Sequence, residues 1–475
     1  MPPSLTLPHR PLDARGWTLA RAAVLVLGAA LGAAPLAGHS DEVDPHTYTV
    51  LARRLAESGD WLDPSYLPAI FHRFREHLPF GLWPFALAIR LFGERALAPL
   101  ALSIAVGVLA AILWLGAPAA GRTAALVAAL VLACTESFFR YAAQPRLDGL
   151  LLLLTAAATL PLCRPAPLPR VRWAWAAALT ALAVLVKGPF GLVPLVAASC
   201  ARALVLRRGA ELLTGFLCAA VAALPAAAFL GLDAWLGDGS WWRGYGLHQL
   251  VDSALGARGD GEQGLVPLRC IAGRFWPGLP LAGFGLAVGC RDLLLRRRTT
   301  AALLTVLALV SVALLLIPSR RIWHHALVVF PALALLAGVA TAPLLEKLRR
   351  GQRAALRSLL VAACAALVAA ALGAGAWLTP RTCVLPARLA RAVPVGASVL
   401  VVAPAADWTV IAALAAELRL DGWPAVSFGD DVPRPAGSGG PAWALVRGEV
   451  PAGSHSGFRL RGREGEWTLW TRAPD

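Results

Sequence analysis

Long apolar runs recur along most of the chain and are separated by short polar segments. A helix needs about 20 apolar residues to cross a bilayer. The pattern therefore predicts eleven membrane-spanning helices, near residues 18–38, 96–115, 123–138, 148–163, 173–187, 190–206, 212–231, 269–290, 301–317, 322–343 and 356–378. Basic residues precede the first run, which is too long for the apolar core of a signal peptide and is interpreted as a retained membrane helix.

The pattern changes after about residue 380. The segments VGASVLVVAP, WPAVSFGD and PAWALVRGEV are typical of strands, and DWTVIAALAAELRL is typical of a helix. FRLRGREGEWTLWTR predicts a hairpin that turns at Gly465. The chain is thus expected to be an all-α polytopic membrane protein over residues 1–379, with a small extracytoplasmic α/β domain over 380–475.

Composition agrees with this division. Hydrophobic residues make up 58% of the chain and charged residues only 15%, whereas soluble domains carry about 25% charged residues. These values exclude a water-soluble enzyme, a disordered chain and a collagen. None of the eight cysteines forms a CxxC motif or has zinc-finger spacing, so we expect them to pack as small hydrophobic residues.

The net charge of +16 would suggest nucleic acid in a soluble protein, but here it follows the membrane topology. With the N-terminus inside, the inner connections hold Arg164, Arg170, Arg172, Arg202, Arg207, Arg208, Arg291, Arg296–Arg298, Lys347, Arg349, Arg350, Arg353 and Arg357. This is the positive-inside pattern. We expect these side chains to fix the topology and to do nothing else, with no nucleic acid as partner.

The outer segment 39–95 has its own organisation. It opens with acidic residues, and Tyr48, Leu51, Ala52 and Leu55 then recur at helical spacing. This spacing predicts an amphipathic helix able to lie on the membrane surface. The apolar stretch 79–93 is too short for a confident membrane span, so a re-entrant or interfacial helix is expected.

Five pieces of the sequence, all on the predicted outer face, resemble a known family. They are SDEVDPHTYTVLARRLAESGDWLDP, FREHLPFGLWPFALAIRLFGE, RYAAQPRLDGLLLLL, VLVKGP and SRRIWHHALVVFPALALLAG. Their order resembles the GT-C glycosyltransferases of the protein O-mannosyltransferase and lipid A aminoarabinose transferase type, over about residues 18–345. The resemblance implies a membrane enzyme of the bacterial inner membrane whose donor is a sugar on a polyprenyl phosphate and whose acceptor is a lipid or another envelope molecule.

Some residues match the family pattern more closely than others. The acidic motif is Asp44 or Asp41-Glu42, and spacing back from Tyr48 favours Asp44. Arg146-Leu147-Asp148 and Lys187-Gly188-Pro189 match the family pattern well. Glu76 falls where the family has the glutamate of a Glu-Lys-Pro-Pro segment, but His77 and Leu78 replace the lysine and first proline. His248 resembles a histidine of a later outer loop, although the usual Arg-Phe after it is missing, and His324 and His325 stand where tyrosines are usual.

The implied chemistry gives these residues roles. Cations must stabilise the leaving phosphate, and Arg146, Lys187, Arg320 and Arg321 are placed for that. Asp44 or Asp41, with Glu42 and Asp148, are the candidate catalytic acids, and a hydroxyl acceptor would need one of them as base. A phosphate acceptor would need no base. No cofactor is certain, but a zinc or manganese ion would suit Glu76 and His248.

Simpler structural explanations stay open for the same residues. Asp44 before Pro45 suits a helix N-terminus, and Asp148 would cap the next helix and pair with Arg146. Lys187 near a helix C-terminus is favoured by the helix dipole. Two other functions also stay open: a transporter or flippase of lipid-linked sugar, and a non-catalytic envelope assembly subunit. A transporter predicts internal repeats and mid-membrane charges, and the sequence shows neither clearly.

Overall fold

A computed structural model describes residues 14–33, 43–64, 73–257, 264–276, 278–319 and 321–351, together with five short segments at 399–402, 426–429, 443–447, 458–464 and 467–472. The predicted eleventh span at 356–378 and the predicted tail helix at 407–420 lie outside these residues, as do Asp41, Glu42 and Arg320.

The described residues between 14 and 351 are mostly helical, because apolar runs rich in Ala and Leu favour helix wherever Gly and Pro do not interrupt them. The α-helices are α1 (Ala14–Ala33), α2 (Val43–Ser58), α3 (Trp83–Phe92), α4 (Leu97–Ala111), α5 (Ala117–Ala120), α6 (Arg122–Ala133), α7 (Glu136–Ala142), α8 (Leu147–Thr159), α9 (Arg170–Lys187), α10 (Val193–Leu206), α11 (Gly209–Leu236), α12 (Ser253–Leu255), α13 (Val266–Arg274), α14 (Leu279–Leu294), α15 (Thr300–Leu315) and α16 (Phe330–Gly351). Two π-helical segments, Ile112–Gly116 and Trp242–Asp252, lie between them.

Ten of the eleven predicted spans coincide with described helices. Among the described residues, five helical stretches are long and apolar enough to cross a membrane: Arg15–Ala33, Glu94–Ala120, Arg170–Gly191, Gly209–Leu236 and Trp323–Leu345. Most of the other predicted spans are shorter apolar helices such as Arg122–Ala133 and Val193–Leu206. The span predicted at 269–290 is divided between α13 and α14, because α13 ends at Arg274 and α14 begins only at Leu279. The count of eleven stays a prediction.

Contacts divide the chain into two compact units. The first lies within Met1–Ala37, Arg75–Gly81 and Ala98–Leu378, and the second within Gly38–Phe74, Leu82–Leu97 and Thr379–Asp475. In the first unit, α16 packs against α6 and α14, α10 against α15 and α11, and α9 against α8 and α11. These neighbours come from different parts of the sequence, so helix ends that are distant along the chain meet in space.

The second unit contains the predicted amphipathic helix. It is α2, and it packs against α3. Tyr48, Leu51 and Leu55 are buried, so this apolar face packs inside the protein. The position of the helix at the membrane surface stays a prediction. The ten residues of α3 span about 15 Å, too little to cross a bilayer, and its Leu91 and Phe92 are exposed. An interfacial position of α3 stays a prediction.

The second unit also holds a five-stranded sheet in the order β2-β1-β3-β5-β4. Its strands are β1 (Val399–Val402), β2 (Val426–Gly429), β3 (Trp443–Arg447), β4 (Phe458–Glu464) and β5 (Trp467–Arg472). β1 is parallel to both β2 and β3, with Val399 opposite Val426 and Trp443, whereas β4 and β5 form the antiparallel hairpin predicted around Gly465. Parallel neighbours need a long crossover, and the predicted helix at 407–420 falls in the first one. The α/β class of this region stays a prediction.

Candidate active site

The sequence RLDG forms the start of α8. Arg146 is the N-cap residue, with extended backbone angles of φ −131° and ψ 149°, and Asp148 lies in the first turn. A carboxylate is favoured there by the positive end of the helix dipole. Gly149 is needed because a Cβ at this position would lie 2.6 Å from the carbonyl oxygen of Ala142. The glycine lets the end of α7 approach α8 closely and fixes the turn between them.

The sequence VLVKGP forms the end of α9. Lys187 is its last residue, and Gly188 ends the helix at φ +63° while donating its N–H to the carbonyl of Val184. A positive φ is natural for glycine and strained for other residues. The start of α8 and the end of α9 meet because these two helices pack side by side.

An ion-pair cluster forms where they meet. Lys187 Nζ lies 2.6 Å from Asp148 Oδ1, and Arg146 Nε lies 3.4 Å from Asp148 Oδ2. All three residues are at most 3% exposed. Buried charges are expensive unless they are paired, so each cation is held in a defined position by the shared carboxylate. The pairing of Arg146 with Asp148 that the sequence predicted is confirmed.

Aromatic and histidine side chains cover another face of this cluster. The Arg146 guanidinium lies over the ring of Tyr141, 4.4 Å from its centroid, and Tyr141 meets Trp323 edge to face. His324 Nε2 lies 4.0 Å from Asp148 Oδ1. The Arg274 guanidinium lies over Trp323 at 3.9 Å. The cluster thus combines cations, a carboxylate, an imidazole and aromatic faces, a combination that can bind an anionic ligand.

Sequence reasoning missed Tyr141, Trp323 and Arg274 as members of this site. Tyr141 and Trp323 stand inside the pieces that carried the family resemblance, RYAAQPRLDG and SRRIWHH, but nothing in either piece marks them as neighbours. Arg274 gives no sequence signal, since it lies in an ordinary amphipathic helix. His324 was noted only as a replacement for a tyrosine, and the structure places it beside Asp148.

The other predicted cations are in different positions. Arg321 donates from Nε and Nη2 to the carbonyl of Leu316, and from Nη1 to the carbonyl of Gly264. In the described part of the chain it contacts backbone carbonyls and no member of the Asp148 cluster, so it fastens the turn after α15. Arg320 lies outside the described residues.

The predicted acids are only partly described. Asp44 lies in the first turn of α2, where the helix dipole favours a carboxylate, and it is partly buried. Asp41 and Glu42 fall outside the described residues. Their catalytic assignments stay predictions.

The predicted metal ligands are Glu76 and His248. His248 lies in the π-helical segment Trp242–Asp252, its side chain is 57% exposed, and its Nδ1 lies 3.2 Å from Asp252 Oδ2. Among the described residues, neither Glu76 nor His248 belongs to a cluster of three or more His, Cys, Asp or Glu side chains. Asp148 and His324 have the ligand types that zinc takes, but Lys187 already binds Asp148 Oδ1. Asp148 and His324 both belong to a group of side chains whose ligand atoms lie within 4.8 Å of one another, and a divalent metal at the site stays a prediction.

Arg202, one of the inner arginines, has a structural role that was not predicted for it. Arg202 is 1% exposed. Its Nε and Nη2 each lie 3.0 Å from a carboxylate oxygen of Glu211, and its guanidinium also donates to the carbonyls of Leu162, Arg164 and Ala166. The expectation that all inner arginines serve topology alone is therefore wrong for Arg202, which ties α10 to α11 and to the end of the α8 segment.

Comparison with known proteins places this architecture in a recognised class. The family model for dolichyl-phosphate-mannose-protein mannosyltransferase matches residues 76–232. The structure of ArnT from Cupriavidus metallidurans bound to undecaprenyl phosphate superposes with a TM-score of 0.70 at 19% identity, over 98% of this chain and 100% of that chain. Its apo structure gives a TM-score of 0.67.

More distant similarity extends to an archaeal oligosaccharyltransferase. AglB from Archaeoglobus fulgidus, in complex with an inhibitory peptide and a dolichol-phosphate, gives a TM-score of 0.55 at 15% identity, over 84% of this chain and 64% of that chain. A complex of the Archaeoglobus fulgidus oligosaccharyltransferase with zinc and sulfate also gives 0.55. No curated protein matches the chain in sequence. The predicted resemblance is confirmed: the chain is a multi-pass membrane protein with the ArnT-like GT-C fold.

Proposed function

We propose that the protein is a membrane glycosyltransferase that moves a sugar from a polyprenyl-phosphate donor to an envelope acceptor on the extracytoplasmic face of the inner membrane. The observation that carries this proposal is the buried cluster in which Asp148 holds Lys187 and Arg146 at the meeting point of two helix ends. ArnT and AglB, which share the fold, were solved with undecaprenyl phosphate and a dolichol-phosphate respectively.

The cluster suits the charge that develops in this reaction. As the bond between the sugar and the phosphate breaks, negative charge grows on the leaving phosphate, and fixed cations in a site shielded from water stabilise that charge strongly. Lys187 and Arg146 are such cations, and Asp148 keeps them in place before the donor binds. Preorganisation of this kind avoids a rearrangement at the moment of reaction.

The acceptor decides what the carboxylates do. An acceptor hydroxyl loses its proton as it attacks the sugar, so it needs a base, for which Asp44 at the start of α2 is our candidate. A phosphate acceptor is already ionised and needs none. In that case Asp44 orients the reactants. Glycolipid, glycan and protein hydroxyl acceptors all fit this proposal, and we assign no step to a metal.

Transfer can be measured with purified protein in vesicles that contain a radiolabelled polyprenyl-phosphate sugar, with mannose and aminoarabinose as the first sugars tested and total envelope lipid and protein as acceptors. We expect Lys187→Met to lower sugar release by about a hundredfold or more, the effect typical of losing one preorganised charge contact. Arg208→Met is the matched control, because Arg208 is an exposed cation in the turn between α10 and α11, and it should release sugar at the wild-type rate.

The alternatives give different results in the same vesicles. A flippase would move the labelled donor across the bilayer without releasing sugar, and a non-catalytic subunit would do neither. Wild-type activity in Lys187→Met would contradict the assignment of the site.

A further inference from the structure

Tyr245 lies in the π-helical segment Trp242–Asp252, outside the membrane-spanning helices. Its ring packs in an apolar cluster with Leu78, Val184, Leu230 and Trp241, and the residue is 3% exposed. The segment is anchored at its start because the N–H groups of residues 241 and 242 both donate to Asp233 Oδ2, at 2.9 and 3.0 Å. The phenol ring is therefore held in one place.

The hydroxyl group of Tyr245 has no hydrogen-bond partner among the described residues. Burial raises the pKa of Tyr245 above its usual range, so the group stays a neutral O–H donor at physiological pH. The fully buried hydroxyls without a partner in the described part of the chain are those of Thr180, Ser253 and Thr305. Tyr245 is not among them, so its oxygen keeps an opening to the space outside the apolar cluster. A phenol hydroxyl at such an opening can donate its hydrogen bond to a ligand that occupies the space.

This hydroxyl points at the residue next to Lys187. A Cβ built on Gly188 would overlap the Tyr245 oxygen, with the ring carbon Cζ 3.3 Å away. Only a glycine fits there, which explains the absence of a side chain at the end of α9 independently of its positive φ. The chain therefore places an unpaired hydroxyl donor against the backbone that carries the cation of the Asp148 cluster.

We propose that Tyr245 is a further donor-binding residue, whose hydroxyl donates a hydrogen bond to an oxygen of the polyprenyl phosphate held by Lys187. This inference rests on the proposed function and adds to it a contact from the π-helical segment Trp242–Asp252. Lys187 attracts the phosphate by its charge. Tyr245 orients the phosphate, since a hydroxyl held at a fixed angle forms its hydrogen bond with only one orientation of the group. A phosphate oxygen is an ionised acceptor, for which hydrogen bonds are stronger than for neutral groups.

The test compares binding of undecaprenyl phosphate with binding of undecaprenol, which has the same tail and no phosphate. Full-length protein in nanodiscs is titrated with each lipid and analysed by native mass spectrometry. We expect Tyr245→Phe to weaken binding of undecaprenyl phosphate roughly tenfold and to leave binding of undecaprenol unchanged. Thr214→Val is the matched control, since it deletes a hydroxyl that bonds only to the carbonyl of Ala210 in its own helix, and it should bind both lipids as the wild type does.

Tyr245→Phe keeps the ring, so the packing of the apolar cluster is preserved. Equal losses for both lipids would mean that Tyr245 acts only through packing and would overturn the inference. Wild-type binding of undecaprenyl phosphate by Tyr245→Phe would also overturn it. Failure of the proposed function looks different: Lys187→Met would then bind undecaprenyl phosphate as tightly as the wild type does.

Discussion

At the scale of single residues, Asp148 decides the geometry of the site. It binds Lys187 at 2.6 Å and Arg146 at 3.4 Å, while His324 stands 4.0 Å away. A buried ion pair gains little net stability, because the cost of removing both charges from water offsets their attraction. Removing only one partner of the pair is nevertheless costly, since the other charge is then left buried and unpaired. The pair therefore contributes mainly position, which is what a phosphate site requires.

This argument predicts an order of stability for two variants. Asp148→Asn leaves Lys187 buried without its carboxylate, and we expect a loss of about 3–5 kcal/mol. Lys187→Met should cost less, because Asp148 keeps its contacts with Arg146 and His324. Thermal unfolding of the purified protein in detergent measures the order, and sugar release should be lost in both variants. A lower midpoint for Lys187→Met than for Asp148→Asn would contradict the pairing scheme.

At the scale of elements, the buried charged contacts lie at the ends of helices. α8 begins and α9 ends at the Asp148 cluster, and at the opposite end of α10 the buried Arg202 binds Glu211 and three backbone carbonyls. Carbonyl groups at helix ends lack partners within the helix, so an arginine that satisfies several of them fixes where those helices stop. Arg202 is thus a structural clamp about 14 Å along α10 from Val193, the first residue of that helix, which follows the Lys187 end of α9.

We expect Arg202→Met to lower the free energy of unfolding by about 3–5 kcal/mol, since it leaves Glu211 without its buried partner and three carbonyls without a donor. Sugar release per folded molecule should stay at the wild-type level, because the clamp lies far from the cluster. Unfolding midpoints and activity normalised to folded protein separate the two effects. Arg208→Met, an exposed arginine in the same turn, should change neither quantity. Equal midpoints for the two variants would show that Arg202 is not a clamp.

At the scale of the whole molecule, the charge pattern predicts a single orientation. Three arginine-bearing connections that are predicted to lie inside run between α8 and α9, between α10 and α11, and between α14 and α15. The Asp148 cluster lies at the opposite helix ends, which are therefore expected to face outward. A donor phosphate that reaches this cluster would be presented on the extracytoplasmic side, where the envelope acceptors are.

Cysteine labelling of intact cells tests this orientation. In a cysteine-free background, a membrane-impermeant maleimide should label Asp60→Cys, Leu255→Cys and Arg461→Cys from outside, because all three positions are exposed. Arg208→Cys and Arg297→Cys should be labelled only after the cells are opened. Labelling of Arg208→Cys in intact cells would show that the orientation is opposite to the predicted one. Labelling that fails at Leu255→Cys alone would indicate an error in the number of spans before it.

The sequence by itself determined the membrane class, ten spans that overlap described helices, the hairpin of the tail sheet and the pairing of Arg146 with Asp148. These features follow from apolar run length, from alternation and from contacts two residues apart, all of which are local. It also placed Lys187 among the candidates, but only through resemblance to a family.

Only the tertiary structure decided which distant residues share a site. Lys187 is 39 positions from Asp148, and Trp323 and Arg274 are farther still, so no local pattern connects them. The structure also showed that Arg321, predicted to bind phosphate, bonds to the backbone carbonyls of Leu316 and Gly264. Arg202, predicted to serve topology alone, is a buried clamp. The physical reason is that the residues at a helix end meet whatever the packing of the helices brings next to them. That packing depends on apolar faces from the whole chain, which no local pattern reveals.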